Sequence, residues 1–257
     1  MKILVCIKQV PDMESKFRID SAGTWYDTNE LAWRMNEYDE YGVEQAVRLK
    51  EQTSGDLTVL CIGPDRVKET MKKALAMGCD RGVHVSDPAV AAKEPFEVAG
   101  IIAEFAKDKS FDVLFTGMQS QDRGSAQVGV LVAEMLALPS VTTIVDFVYT
   151  DENLQVKREL EGGVKALVTV SGPALFTCQL GLNTPRYPTL PNIMKAKKKE
   201  LLSIPVQELL KVAPRMETIG MNLPEKKGGG LVLEGEAGEL ADKLIAILKE
   251  KTGVLAR

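Results

Sequence analysis

Residues 111–135 read FDVLFTGMQSQDRGSAQVGVLVAEM and combine a strand, a loop and a helix pattern. Residues 113–116 are an apolar run of strand length, residues 117–124 form a polar loop with two glycines, and Ser125 opens a helical pattern. Such a turn can hold a phosphate, because a helix N-terminus directs unpaired N–H groups and a positive dipole end at the anion. The spacing matches neither G-x-G-x-x-G nor the P-loop, so a ligand loop and a purely structural connection both stay open.

Apolar runs and amphipathic helical patterns alternate on both sides of this unit. The predicted strands cover residues 3–7, 57–62, 82–85 and 113–116, and the predicted helices cover 38–50, 65–77, 96–106 and 125–135. The segment between them at residues 9–36 is expected to be irregular. Because the strands are apolar throughout, the fold class is α/β, with a mostly parallel, doubly wound sheet. A ligand is expected beyond the carboxyl ends of its strands, at the switch point.

The pattern changes after Pro139. Four short strand-like runs, at residues 142–149, 154–160, 164–170 and 174–179, are separated by turn residues 150–153, 161–163 and 171–173. These spacings predict antiparallel hairpin additions to the sheet. Residues 1–200 are therefore predicted to form the α/β domain, and residues 201–257 a C-terminal arm with an amphipathic helix at 239–251. The arm either wraps a partner subunit or packs back onto its own domain.

Composition and charge argue against several classes of function. A net charge of −4 argues against nucleic acid as a partner, and no apolar run is long enough for membrane insertion. The cysteines are isolated, which indicates buried, reduced thiols of a cytoplasmic protein: Cys6, Cys61, Cys79 and Cys178. The single histidine, His84, is expected to be packed or at the surface, so neither a metal site nor a nucleophile–base pair is predicted. No catalytic residue is expected, and the pattern favours a nucleotide binder over a hydrolase.

Residues 184–199, TPRYPTLPNIMKAKKK, are unusual for a surface loop. Three prolines within seven residues argue against a regular helix, and bulky apolar residues alternate with them. This pattern indicates an apolar knob offered to another protein, flanked by a basic run. The alternative is a helix that begins near Asn192 and exposes a solvated, charged face.

The chain resembles the beta subunit of electron transfer flavoprotein over nearly all of its length. The resemblance is carried by VCIKQVPD (5–12), NEYDEY (36–41), EQAVRLK (44–50), ALAMGCDRG (74–82), GMQ (117–119), AQVG (126–129) and LNTPRYPTLPNIMKAKKK (182–199). It implies a fold like that of the adenine-nucleotide alpha hydrolases and a heterodimer whose alpha subunit holds most contacts to an FAD. It further implies electron transfer from acyl-CoA-type dehydrogenases to a quinone-linked oxidoreductase, with an AMP buried in this subunit.

The resemblance also implies roles for individual residues. The residues that would line the AMP site are Cys6, Asn36, Glu37, Tyr38, Asp39, Ile62, Gly117, Met118, Gln119, Ser120, Gln121, Asp122, Arg123, Gly124, Ser125, Ala126, Gln127 and Val128. Its phosphate would lie at the start of the helix opened by Ser125, while Met13 and Tyr38 would approach the flavin. The residues that would recognise the dehydrogenase are Arg186, Tyr187, Leu190, Pro191, Ile193, Met194 and Lys195, with Leu190 as the knob.

A second reading of the same resemblance concerns an electron-bifurcating branch, which oxidises NADH and holds a second FAD in place of AMP. That branch typically has DGDTAQVGP where residues 122–130 here read DRGSAQVGV, so the two share AQVG. The KQVPD stretch (8–12) also resembles the bifurcating branch. The recognition segment has the ordinary, non-bifurcating form. Arg123 would either crowd a bulkier dinucleotide or pair with its pyrophosphate. AMP is the favoured ligand.

Overall fold

The computed structural model describes residues 1–150, 153–225 and 228–252. The strands are β1 (Lys2–Ile7), β2 (Gln9–Pro11), β3 (Trp33–Met35), β4 (Asp56–Gly63), β5 (Arg81–Ser86), β6 (Val113–Gly117), β7 (Ser140–Thr150), β8 (Asn153–Glu159), β9 (Lys165–Ser171), β10 (Ala174–Cys178) and β11 (Leu201–Pro205). The helices are α1 (Glu37–Thr53), α2 (Val67–Met77), α3 (Pro95–Ala106), α4 (Val128–Met135), α5 (Leu190–Ala196), α6 (Val206–Leu209) and α7 (Ala237–Lys251).

Nine strands of the described residues form one sheet in the order β11-β5-β4-β1-β6-β10-β7-β8-β9. From β11 to β7 all neighbours are parallel, and only the pairs β7–β8 and β8–β9 are antiparallel. The chain leaves β1 towards β4 and β5, then returns through α3 to β6 on the other side of β1. This reversal of direction opens a crevice between the carboxyl ends of β1 and β6.

Helices cover both faces of the parallel part, as the apolar strands predict. In β1 the side chains of Ile3, Val5 and Ile7 join one core with α1 and α2. Leu4 and Cys6 point to the opposite core, with α3 and α4. Alternate residues of a strand face opposite sides of a sheet, so a strand buried on both sides is apolar at nearly every position. The predicted α/β class with a doubly wound sheet is confirmed.

One predicted hairpin is wrong. β8 and β9 do pair antiparallel across the turn at residues 161–163, but β10 pairs parallel with both β6 and β7 in the interior of the sheet. All five residues of β10 are buried. An edge strand that followed a tight hairpin would have one side exposed to solvent. The turn predicted at 150–153 includes residues 151 and 152, which lie outside the described residues.

Three further local features differ from the predictions. The segment expected to be irregular contains the antiparallel pair β2–β3. Helix α4 begins at Val128 rather than Ser125, because Ala126 has a left-handed backbone with φ of 54°. The proline-rich segment does contain a helix, α5, whose N-cap Thr189 accepts a hydrogen bond from Asn192 N–H. Pro191 fits the first turn, where its missing N–H would have no helical partner.

The described chain divides into two units, Met1–Met221 and a second that begins at Asn222. The first unit extends beyond the predicted boundary after residue 200, since β11 pairs with β5 at the edge of the sheet. The second unit contains the predicted helix as α7, and its packing on a partner stays a prediction; residues 253–257 lie outside the described part. Among the described helices, none combines the length and apolarity that crossing a bilayer requires.

Candidate functional site

A cleft lies at the carboxyl ends of β1, β4 and β6, where the switch point predicts a ligand. The predicted site residues that line it are Cys6, Asn36, Asp39, Ile62, Gly117, Met118, Gln119, Ser120, Asp122, Arg123, Ser125, Ala126, Gln127 and Val128. The structure therefore gathers residues from four separate parts of the sequence around one space. The loop after β6 forms the largest share of its wall.

Other predicted site residues support this loop from behind. Glu37 accepts a hydrogen bond from the side chain of Gln121 at 2.9 Å, and the Gln121 N–H donates to Asn36 at 3.0 Å. The hydroxyl of Tyr38 lies 3.1 Å from Gln119 Nε2. These residues join the loop to the start of α1. Glu37, Tyr38, Gln121 and Gly124 are not among the residues that line the cleft.

Asp39 is the buried centre of this connection. Its carboxylate accepts hydrogen bonds from the N–H of Lys8 at 2.6 Å, the N–H of Gly117 at 3.1 Å and Asn36 Nδ2 at 3.0 Å. It thereby joins the ends of β1 and β6 to the first turn of α1. Burial raises the pKa of Asp39 to about 7, although these hydrogen bonds favour the charged form.

Lys8 and Asp122 form an ion pair across the cleft. Lys8 Nζ lies 2.6 Å from Asp122 Oδ1 and 3.3 Å from Ser120 Oγ. The carboxylate of Asp122 is almost fully buried. Burial lowers the pKa of Lys8, and the charge of Asp122 opposes that shift. A nearby cation stabilises a buried carboxylate, so this pair ties the loop after β6 to the end of β1.

Arg123 links the loop to two further segments. Its guanidinium donates to the carbonyl oxygens of Lys93, at 2.8 Å, and Ala91. The same group lies over the ring of Trp25, with Cζ 4.4 Å from the ring centroid. Arg123 thus connects the loop after β6 with the segment after β5 and with the segment between β2 and β3.

The cleft also contains residues that the sequence pattern did not identify. They include Lys8, Gln9, Trp25, Tyr26, Thr28, Trp33, Arg66, Val90, Ala91 and Lys93. Lys8 directly follows β1, so its place at a strand end is a signal that could have identified it. Trp25 and Tyr26 come from the segment between β2 and β3, and Trp33 is the first residue of β3. No local pattern indicates that these residues lie at the cleft. Arg66 lies over the ring of Trp33, with Cζ 3.9 Å from the centroid.

Two observations test whether the cleft suits a nucleotide. Helix α4 has no side-chain hydrogen bond at its N-cap Gln127, so the first-turn N–H groups are left for an anion. Gln9 donates from Nε2 to Thr70 Oγ1 and to the Arg66 carbonyl, while its buried Oε1 has no partner among the described residues. A buried acceptor without a donor is unfavourable, and an amino group of a ligand base would satisfy it. The residues present fit a nucleotide whose base carries an amino group.

The predicted recognition residues lie apart from the cleft, on and before α5. Tyr187 and Leu190 are 93% and 79% exposed, and Met194 and Ile193 are also exposed. Arg186 differs from them, because it is bound to Glu44 and Glu51 of α1. Met13 is exposed and does not line the cleft. His84 is buried in β5 between the Gly63 carbonyl and Ser203 Oγ, and the four cysteines are buried free thiols.

Comparison with known proteins identifies the family. A family model described as "Electron transfer flavoprotein domain" matches residues 24–209. The chain belongs to the electron transfer flavoprotein family. It is 35% identical over 260 residues to electron transfer flavoprotein subunit beta of Bacillus subtilis (strain 168), covering 99% of this chain and 100% of the relative. The subunit beta of Homo sapiens is 35% identical over 254 residues, with 97% of each chain covered.

The likeness to electron transfer flavoprotein beta subunits confirms the resemblance inferred from the residues. The subunit beta of Methylophilus methylotrophus is also 35% identical, over 264 residues, with 98% of this chain and 100% of the relative covered. The family model covers the loop after β6 and the segment of α5. In this electron transfer flavoprotein chain both features therefore lie in the part that the family shares.

Proposed function

We propose that this chain is the beta subunit of a heterodimeric electron transfer flavoprotein. The dimer accepts electrons from acyl-CoA-type dehydrogenases through an FAD held mainly by the alpha subunit, and passes them to a quinone-linked oxidoreductase. The chain acts as part of an electron carrier and supplies no catalytic residue of its own. The observation that carries the proposal is a nucleotide-type cleft combined with a separate, exposed apolar segment on a chain of this family.

The ligand proposed for the cleft is a structural AMP. The uncapped N-terminus of α4 supports a phosphate there, and the unpartnered Gln9 Oε1 supports a base with an amino group. Arg123 supports AMP over FAD, because both of its terminal nitrogens already donate to main-chain carbonyls and its face is stacked on Trp25. A guanidinium committed in this way does not offer those donors to a pyrophosphate. AMP then joins the loops that close the cleft.

The segment of α5 is proposed to dock the dehydrogenase. Leu190 stands at the start of α5 with most of its surface in solvent, beside the exposed ring of Tyr187. Exposed apolar side chains on an ordered turn are typical of a protein-binding surface, and proline reduces the ordering entropy lost on docking. Leu190, Pro191, Ile193, Met194, Tyr187 and Lys195 form the surface proposed for contact.

The alternative is an electron-bifurcating subunit with a second FAD in place of AMP, which oxidises NADH. The AQVG residues at 126–129 favour it. Nucleotide extraction from the purified heterodimer separates the two functions. One FAD and one AMP per dimer are expected, whereas two FAD and no AMP would overturn the carrier function in favour of the bifurcating one. A chain that purifies as a monomer without a flavin-bearing partner would contradict both.

A further inference from the structure

Arg186 is held by two carboxylates of α1 instead of pointing into solvent. Its N–H and Nε donate to Glu44 Oε2 at 3.1 and 2.8 Å. Its terminal nitrogens donate to the two carboxylate oxygens of Glu51 at 2.6 and 3.0 Å. Glu44 and Glu51 are seven residues apart and therefore lie on the same side of the helix, two turns from each other. The guanidinium spans them as a fork, a geometry that a lysine could not reproduce.

Glu44 is the buried member of this group. Its side chain is 3% exposed, and it also accepts a hydrogen bond from Arg48 Nε at 2.6 Å. Burial by itself would raise the pKa of Glu44, but the hydrogen bonds from Arg186 and Arg48 lower it. Arg48 in turn donates to the Thr184 carbonyl at 3.3 Å. An ionised carboxylate at this depth needs both arginines, so α1 and the segment before α5 are fixed to each other.

The far end of the same segment is attached to α2. Lys199 Nζ donates to the carbonyls of Leu75 and Cys79, at 2.8 and 2.6 Å, where α2 ends. Ala196 is buried in the core beside these helices. Between the two attachments lie the exposed side chains of Tyr187 and Leu190. The apolar surface is thus carried on a segment that is held at both ends.

We propose that Glu44 is a positioning residue for the docking of the electron donor. Through Arg186 it holds the chain that leads into α5, so that Leu190 is presented in one orientation before the partner arrives. Preorganisation of a binding segment raises affinity because less conformational freedom is lost on association. The inference rests on the proposed docking function, and it assigns to Arg186 a place behind the contact surface instead of within it.

The test uses the complete heterodimer with its bound nucleotides. Glu44→Gln is compared with Glu40→Gln, a matched control on the same helix whose carboxylate pairs with Lys73 at 2.6 Å, away from the segment. With an acyl-CoA dehydrogenase and its acyl-CoA as electron source, Glu44→Gln is expected to raise the KM for the flavoprotein roughly threefold to tenfold, with kcat and FAD content unchanged. Amide hydrogen exchange at residues 186–193 is expected to speed up. Glu40→Gln should change neither.

A double variant distinguishes positioning from general damage. If Glu44 acts through Leu190, Glu44→Gln should add little to the KM of Leu190→Ala, because the two changes remove the same contact. Additive effects, or unchanged exchange at 186–193 in Glu44→Gln, would overturn the inference while leaving the docking role intact. An unchanged KM in Leu190→Ala would overturn the docking role and the inference with it. If Glu44→Gln does not fold, Arg186→Lys and Glu51→Gln carry the same comparison.

Discussion

Gly117 lies so close to Asp39 that a Cβ added to the glycine would be 2.2 Å from Asp39 Oδ1. The Gly117 N–H donates to that same oxygen. The end of β6 and the first turn of α1 therefore meet at a contact that admits no side chain. The loop after β6 starts at this point, so its position depends on the contact.

Gly117→Ala is expected to destabilise the protein by about 3 kcal/mol, because the added methyl group meets Asp39 and also Tyr38 Cβ at 2.8 Å. The displaced loop should also retain less nucleotide after purification. Thermal unfolding and nucleotide extraction measure the two effects. Gly238→Ala is the control, since Gly238 lies in α7 with nothing within 4 Å of its added Cβ. Full nucleotide content in Gly117→Ala would contradict the proposed site.

Asp39 should make stability depend on pH. Its pKa of about 7 lies above the value near 3.9 of an unfolded aspartate, so its contribution is fully present below about pH 4 and is lost as the pH rises through about 7. The shift corresponds to roughly 4 kcal/mol. In Asp39→Asn this component of the pH profile of unfolding should be absent, while the exposed control Glu30→Gln should keep it. Parallel profiles for Asp39→Asn and the original chain would show that another group titrates.

Lys8→Met should destabilise the protein by about 3 kcal/mol, because it leaves the buried carboxylate of Asp122 without a cation. Replacing both partners, in Lys8→Met with Asp122→Leu, should recover a large part of the loss. Lys68→Met removes an exposed ion pair with Asp65 and should cost less than about 1 kcal/mol. Denaturant unfolding of the four proteins gives the comparison. A double variant as unstable as Lys8→Met would refute the importance of the pair.

Arg123→Lys should loosen the closure of the cleft. A lysine keeps the charge but cannot donate to the carbonyls of Ala91 and Lys93 while it lies flat on Trp25. We expect bound AMP to dissociate roughly tenfold faster, which corresponds to about 1.4 kcal/mol. Exchange of bound nucleotide against labelled AMP measures this rate. Arg81→Lys, on an exposed arginine paired with Asp56, serves as the control and should match the original protein.

Leu190→Ala should weaken reduction by the dehydrogenase. Truncation of an apolar anchor at the centre of an interface typically costs about 2 kcal/mol, so the KM for the flavoprotein should rise roughly thirtyfold. FAD and AMP contents should stay the same, because Leu190 lies outside the cleft. Leu202→Ala, a truncation of another exposed leucine, should leave the KM unchanged. Loss of FAD from Leu190→Ala would contradict a pure docking role.

Much of the fold follows from local pattern. The apolar run of β1 and the amphipathic pattern of α1 are visible without knowledge of their neighbours. A strand buried on both faces is apolar along its length, whereas a helix buried on one face has apolar residues every three or four positions. The direction of β10 is not visible in this way. A short apolar run after Gly172 fits a hairpin strand as well as an interior parallel strand. Only the tertiary structure shows that β10 lies between β6 and β7 and pairs parallel with both. No local sequence pattern predicts the left-handed backbone of Ala126 either, and this conformation is the reason that α4 begins only at Val128.

The α/β class, the glycine-containing loop after β6 and the apolar segment around Leu190 can be recognised from sequence alone, because strand periodicity, loop composition and family motifs are properties of consecutive residues. The contacts made by these segments become visible only in the folded chain. Lys8 meets Asp122, Trp25 meets Arg123, and Glu44 meets Arg186 across 114, 98 and 142 positions of the chain. Such contacts form because the sheet brings together strand ends and helix faces that are far apart in the sequence. A local periodicity carries no information about which distant residues will meet.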